Sequence, residues 1–211
     1  PLIHKLSLPQ NSIPYSLNQF PSDLILSQPG IHNKQNALAV LKLAEYLNIP
    51  KDLTIQSLTT FAGLGRRLDF LGEKHGVKVY DDYANHPSSY KATIQAVKEL
   101  HPQDKIFAII EPHTFSRSRV LLHELPDALK DADEVIVTKI FASRELDPGD
   151  FTGLDIANSI PNSKYIPEFA DVVTYLKSRA NHAKKSGANH VFLIMGSGNS
   201  HLLSRQILES L

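Results

Sequence analysis

The sequence has no cysteine among its 211 residues. This absence excludes a disulfide framework and thiolate chemistry, and it fits a protein of the cytoplasm, which is the location we predict. Acidic and basic residues balance at 22 each, so no excess charge favours binding to nucleic acid or to an anionic membrane. We therefore expect neither of these among its partners, and the sequence does not define an oligomeric state.

Long apolar runs are also missing. The longest, such as VFLIM at 191–195, are far shorter than the roughly 20 residues that a membrane helix needs. The first residues, PLIHKLSLPQ, lack both the layout of a signal peptide and an initiator methionine. From this we expect the chain to be a fragment of a longer protein.

Several catalytic motifs are absent from the sequence as well. It has no G-x-x-x-x-G-K-[ST] phosphate-binding loop, no G-x-S-x-G elbow and no H-E-x-x-H. Its ten histidines show no other spacing typical of metal ligands. We therefore predict no metal site built by the chain itself, and no triphosphate cradle of the P-loop type.

What is present is typical of a globular protein, with 42% hydrophobic and 21% charged residues. Residues 1–29 are rich in Pro, Ser and Asn and contain short apolar stretches, which predicts irregular or short-strand structure. A helix is predicted over 32–48, where Ala37, Leu41, Ala44 and Leu47 recur at helical spacing, and a shorter one over 51–61. The glycine-punctuated stretch 62–72 is a candidate linker.

A regular alternation of strands and helices begins after residue 76. Apolar runs predict strands at 77–83, 105–110, 134–140 and 190–195. Amphipathic stretches between and after them predict helices at 87–100, 116–130, 153–159, 170–186 and 201–210. Continuous apolar strands alternating with helices indicate an α/β, Rossmann-like fold with a mostly parallel sheet and helices on both faces.

Polar residues follow every predicted strand. In open parallel sheets, ligands bind beyond the carboxyl ends of the strands, so four polar endings together favour a binding site. The residues are Asp82, Tyr83, Asn85 and His86; Glu111, His113 and Arg117; Ser143, Arg144 and Glu145; and Gly196, Ser197, Gly198 and Asn199.

Two of these endings allow more than one interpretation. Asp81 and Asp82 are neighbours on a strand and point to opposite faces, so we expect only one, Asp82, to serve the site. The GSGN turn at 196–199 either offers backbone N–H groups to an anion or is a plain tight turn.

Six motifs, taken in order, resemble the Mur ligase family: PGIHNKQNALAV, GLGRRLDF, VYDDYANHPSSYKATIQAV, EPHTFSRSR, FASRELDPG and MGSGN. Members of that family have a UDP-binding domain, a central ATPase domain and a Rossmann-like C-terminal domain. The resemblance implies that residues 1–66 are the end of the central domain and that residues 67–211 are the C-terminal domain. The P-loop half would then lie outside this chain.

The resemblance also implies an activity. Family members form an amide with ATP and Mg²⁺ through an acyl phosphate, and the motifs point to UDP-N-acetylmuramate and L-alanine as the substrates. Mg²⁺ would be held by the missing part of the central domain. The fragment alone is therefore predicted to be inactive.

Site residues follow from the same resemblance. His32, Asn33, Asn36, Arg67 and Asp82 match nucleotide-binding positions. Tyr83, His86, His113, Thr114 and Arg117 match the region that receives the amino acid, and Asp82, His113 and Arg117 are the predicted catalytic residues. Three other functions stay open: a ligase that recycles murein tripeptide, a non-catalytic nucleotide- or phosphate-binding module, and a metal hydrolase.

Overall fold

The computed structural model describes residues 12–211. The chain forms two compact units that divide between Ala62 and Gly63. Within the described residues, no helix is both long enough and apolar enough to cross a membrane. The prediction of irregular structure over 1–29 holds for 12–29 apart from one 3-10 turn, Leu17–Gln19, and its first eleven residues lie outside the described range.

In its described part, residues 12–62, the first unit contains two α-helices, α1 (Ile31–Tyr46) and α2 (Lys51–Thr60). Ala37 and Ala44 are buried, as their helical spacing predicted. Leu47 is exposed and lies beyond the last turn of α1, so the predicted helix was slightly too long. The unit is tied together at its end by Gln28, whose side-chain amide donates to the carbonyl of Ala62 at 2.8 Å.

The second unit contains one six-stranded sheet. Its strands, in chain order, are β1 (Asp69–Lys74), β2 (Val77–Asp82), β3 (Lys105–Ile110), β4 (Glu134–Val137), β5 (Ser163–Tyr165) and β6 (His190–Met195). The spatial order is β1-β2-β6-β3-β4-β5. Only the β1–β2 pair is antiparallel, so the sheet is mostly parallel, as predicted.

Helices cover both faces of this sheet. They are α3 (Pro87–Leu100), α4 (Phe115–Leu121), α5 (Leu125–Leu129), α6 (Gly153–Ser159), α7 (Phe169–Ser186) and α8 (Ser200–Ser210). Helices α3, α5 and α6 share one core with the strand residues Ala108 and Ile110, whereas α7 and α8 share the other with Phe107 and Ile109. Alternate residues of β3 thus face opposite layers, and the predicted α/β, Rossmann-like fold is confirmed.

Some predicted element boundaries were wrong. Part of the stretch read as a linker, 62–72, is the antiparallel edge strand β1, and the strand predicted at 134–140 ends at Val137. The helix predicted over 116–130 is broken into α4, a 3-10 turn and α5. Pro126 is the second residue of α5, in the first helical turn, where a residue without an N–H group is tolerated.

Candidate functional site

The predicted site lies at the carboxyl edge of the sheet, where the strand ends are in register. Asp82 and Ile110 each pair with Met195, and Ile110 also pairs with Val137. The polar segments that follow these four strands therefore emerge side by side. The parallel arrangement brings together what the sequence showed only as separate endings.

A small recess opens at this edge between α3, the end of β3 and α4. Asn85, Tyr90, His113, Arg117 and Ser118 contribute to its lining. The Arg117 guanidinium is exposed and donates to Asn85 Oδ1 at 3.3 Å. Two of the predicted catalytic residues, His113 and Arg117, thus line the recess, and the third, Asp82, does not.

His113 is held by backbone bonds to the segment that follows β4. Phe141 N–H donates to the Pro112 carbonyl at 2.8 Å, and Thr114 N–H donates to the Phe141 carbonyl at 2.9 Å. Burial lowers the pKa of the His113 imidazole, and the positive charge of Arg117 lowers that pKa further. Its Nδ1 is buried and has no hydrogen-bond partner within residues 12–211. A neutral imidazole with a free nitrogen is able to accept a proton.

Thr114 and His86 stand at the N-caps of two helices, α4 and α3, next in sequence to residues that line the recess. Thr114 precedes α4 with φ of 62°, a conformation that is strained for a β-branched residue. His86 is the N-cap of α3, and its Nδ1 accepts from Ser88 N–H at 3.3 Å. His86 is exposed, and this capping bond gives it a structural role that its motif did not indicate.

Glu145 caps the helix that carries Arg117. Its carboxylate accepts from the Ser116 N–H at 3.0 Å and also from the Ser116 hydroxyl. These bonds hold the pKa of the Glu145 carboxyl below its usual range. The segment after β4 thereby fixes the start of α4, and the direction in which Arg117 leaves it.

Glu111 is a site-edge residue to which the sequence assigned no role. Its buried carboxylate accepts from the Ser200 N–H at 3.0 Å. Burial raises the pKa of Glu111, and the N–H groups of Ser200, Asn199 and Gly198 oppose that rise. The GSGN turn does present its amides to an anion, but within this structure the anion is Glu111. An acid directly after one strand, with a glycine-rich turn after another, is the sequence signal for such a pair.

The two neighbouring aspartates have separate partners. Asp82 is buried, and its carboxylate accepts from Leu68 N–H and Ala84 N–H, both at 2.7 Å. Asp81 accepts from Arg66 Nε at 3.2 Å. Burial raises the pKa of Asp81, and Arg66 opposes the rise. Asp82 therefore ties the strand end to the segment that leads into β1.

Arg67 and Tyr83 lie next to each other beyond this point. The Arg67 guanidinium is 5.4 Å from the centre of the Tyr83 ring, and both residues are exposed. Arg66 stacks on the same ring at 5.0 Å. The paired arginines of the GRRLD motif therefore place positive charge on the aromatic ring of a predicted substrate-binding residue.

The remaining predicted nucleotide-binding residues belong to the first unit. His32, Asn33 and Asn36 lie in the first two turns of α1. The Asn33 side-chain amide donates to the Pro29 carbonyl at 2.8 Å, which anchors the start of the helix. Asn36 is exposed. Across residues 12–211, no group of three or more His, Asp or Glu side chains is arranged to hold a metal ion.

Comparisons with known proteins agree on one family. Residues 66–198 match the family described as Mur ligase, glutamate ligase domain. The chain is 36% identical over 186 residues to UDP-N-acetylmuramate–L-alanine ligase of Alkaliphilus metalliredigens, a match that covers 87% of this chain and 39% of that protein. The chain therefore spans about two fifths of the length of this relative.

Solved structures show the same relationship. The UDP-N-acetylmuramate–alanine ligase of Thermotoga maritima matches with a TM-score of 0.71 and 27% identity, over 87% of this chain and 38% of that one. A murein peptide ligase of Psychrobacter arcticus matches with a TM-score of 0.63 and 24% identity, over 89% and 38% respectively. At that identity, the second match speaks for the fold alone.

Proposed function

Because the chain belongs to the Mur ligase family, we propose that it is the C-terminal part of an ATP-dependent ligase that joins L-alanine to UDP-N-acetylmuramate. Such a step builds peptidoglycan. Residues 1–66 are assigned to the end of the central ATPase domain and residues 67–211 to the C-terminal ligase domain. The chain alone is assigned no activity, because its sequence has no P-loop.

The observation that carries this proposal is the recess around His113 and Arg117. Arg117 makes one hydrogen bond within residues 12–211, to Asn85, which leaves most of its N–H donors for a ligand. A guanidinium is suited to a carboxylate, which it binds with two parallel bonds. We assign the alanine carboxylate to Arg117, with Tyr83, His86 and Thr114 beside it.

His113 is assigned the role of a base that accepts a proton from the alanine amine. An amine attacks a carbonyl carbon only when it is unprotonated, so a base near the amine is useful. The lowered pKa of His113 and its unpartnered Nδ1 support this role. Holding the amine donor in line is the other contribution of the domain.

The residues present also fit part of a nucleotide site. ATP supplies the phosphoryl group that activates the muramate carboxylate, and Mg²⁺ is assigned to the part of the protein outside this chain. Arg67, exposed and stacked on Tyr83, fits a phosphate. His32, Asn33 and Asn36 offer an imidazole and two amides suited to an adenine. Asp82 is assigned to nucleotide binding. In this structure its carboxylate accepts hydrogen bonds from the backbone N–H groups of Leu68 and Ala84.

The test is kinetic and uses the full-length enzyme that carries this chain. Arg117→Ala should raise the KM for alanine, with a loss of roughly 2–4 kcal/mol of binding free energy, because it removes a charge-assisted pair. Arg117→Lys should recover only part of it, since an ammonium group cannot bind a carboxylate through two parallel bonds.

Arg119→Ala is the matched control. Arg119 lies on the same helix but pairs with Asp150 at 2.5 Å, so its loss should leave the KM for alanine nearly unchanged. Equal, small effects at both positions would reduce Arg117 to a local contact. A preference for tripeptide over alanine in the unmodified enzyme would instead favour the murein tripeptide ligase.

A further inference from the structure

A strained turn precedes β1 and carries the paired arginines. Arg66 and Leu68 have φ of 59° and 46°, in the left-handed region that side chains other than glycine rarely adopt. Two such residues flank Arg67. Strain of this kind persists only where the surrounding structure holds it in place, and it is therefore informative to ask which groups hold this turn.

Hydrogen bonds to the backbone and to two carboxylates hold the backbone of this turn. Leu68 N–H donates to Asp82 at 2.7 Å, and Tyr83 N–H donates to the Arg66 carbonyl at 2.8 Å. Arg66 N–H donates to Asp69 Oδ2 at 3.2 Å. The Leu68 side chain is buried in the core shared with α3. These contacts fix the residues on either side of Arg67.

The Arg66 side chain holds the turn from the side. Its Nη2 donates to the Gly196 carbonyl at 2.7 Å and to Ser200 Oγ at 3.2 Å. Its Nε donates to the buried Asp81 at 3.2 Å. Arg66 thus joins the turn to β2, to the end of β6 and to the start of α8. A guanidinium suits this task because its donors lie in one rigid plane.

Arg67 itself is not used in this way. Within residues 12–211 its guanidinium makes no hydrogen bond or ion pair, and it stacks only on the ring of Tyr83, at 5.4 Å. Of the two adjacent arginines, Arg66 therefore bonds to other parts of the fold, whereas Arg67 is exposed to solvent. The strained turn is what separates their two directions.

We infer that Arg66 is a positioning residue, which holds the turn at 64–69 so that Arg67 and Tyr83 present their guanidinium and ring to the anionic end of a nucleotide. Arg66 acts through Arg67 and does not itself touch the ligand. The part that concerns the nucleotide rests on the proposed function. The part that concerns the turn rests on the contacts alone.

Hydrogen exchange measured by NMR on the 211-residue chain tests the turn without any ligand. Arg66→Gln should lower the protection of the Leu68 and Tyr83 amides by about tenfold or more, because charged hydrogen bonds are lost. The Ile109 amide, in the middle of the sheet, should keep its protection. Arg66→Lys should restore part of the loss. Arg205→Gln, which removes an exposed charge from α8, should change none of these amides.

Two exchange results would overturn the inference. Unchanged protection at Leu68 and Tyr83 would show that Arg66 does not hold the turn. An equal loss at Ile109 would show that Arg66 supports the whole fold and has no local role.

Kinetics in the full-length enzyme test the second part. Arg66→Gln should raise the KM for ATP in the same direction as Arg67→Ala, with a smaller change in kcat. If Arg67→Ala raises that KM and Arg66→Gln does not, the positioning role is overturned. If Arg67→Ala leaves the KM unchanged, the assignment of Arg67 to the nucleotide fails, and the exchange experiment still decides whether Arg66 holds the turn.

Discussion

Arg117 and Arg119 differ by two positions in the sequence, and their surroundings differ in kind. Arg119 binds Asp150 and lies 4.8 Å from the ring centre of Phe151. Arg117 lines the recess, and within residues 12–211 its one side-chain hydrogen bond goes to the amide oxygen of Asn85. Residues two apart on a helix point in widely different directions. The structure thus uses Arg119 in a contact within the fold and leaves Arg117 at the recess, where its proposed role is to bind a carboxylate.

At this scale we predict how His113 titrates. Its pKa should lie below 6.5, because burial disfavours the imidazolium and Arg117 repels it. Arg117→Gln should raise that pKa but leave it below 6.5, since burial is the larger cause. NMR titration of the His113 ring protons measures both values.

The lowered pKa of His113 also makes the free energy of unfolding depend on pH. A depressed pKa means that the neutral form contributes stability above pH 6.5, and that this contribution is lost as the pH falls through the lower, folded value. Arg119→Gln is the control and should not move the pKa of His113. A His113 pKa above 6.5 would remove the basis for its role as a neutral base.

At the scale of elements, two helix starts at the carboxyl edge are capped by carboxylates from other segments. Glu145 caps α4, and Glu111 caps α8. The first N–H groups of a helix have no partner in their own helix, and a negative charge there also interacts favourably with the helix dipole. These caps couple the segments after β3, β4 and β6, so the site edge is cross-linked by hydrogen bonds.

Gly198 tests how tightly this edge is packed. A Cβ at Gly198 would lie 2.5 Å from the Phe141 ring and 2.7 Å from Glu111 Oε2. Gly198→Ala should therefore cost about 1–3 kcal/mol of the free energy of unfolding, as overpacking does. Urea unfolding measures this loss.

Gly65→Ala is the matched control for that experiment. A Cβ there would meet only Asp69 Oδ2, at 3.8 Å, and Gly65 has no left-handed backbone. It should change stability by much less than Gly198→Ala. Equal losses at the two positions would contradict the close packing of the GSGN turn against Glu111 and Phe141.

At the scale of the whole molecule, the two units have separate interiors. Both core clusters of the sheet consist of residues from Leu68 onward. The buried apolar residues of the first unit, such as Leu24, Ala37 and Leu38, belong to neither cluster. A unit that contains its own core can fold alone.

We therefore expect residues 63–211 to fold when produced without the preceding segment. Their NMR spectrum should show the same dispersed amide signals of the sheet as the 211-residue chain, and their unfolding in urea should be a single transition. The intact chain serves as the control. A collapsed spectrum, or loss of the unfolding transition, would show that the first unit is needed for the fold of the second.

The sequence by itself determined the regular core of this protein. Strands 105–110 and 190–195 and helix 153–159 were predicted with the bounds that the structure has, because a continuous apolar run or a helical period is a local property of the chain. Parallel strands then imply a shared edge, so the placement of the candidate site at that edge also followed from the pattern. Strand β1 was missed because it is only partly buried and so lacks a continuous apolar run. It forms a strand because it pairs with β2.

Only the tertiary structure decided which groups meet at that edge. Glu111 bonds to Ser200 across 89 positions of sequence, and Arg66 reaches Gly196 across 130. Both contacts exist because β6, the last strand in the chain, lies between β2 and β3. The hydrophobic periodicity of the sequence does not predict that β6 is inserted between β2 and β3, since this depends on how α7 returns the chain across the sheet. For this reason the sequence could mark the GSGN turn as ready for an anion, while the fold decided that the anion is Glu111.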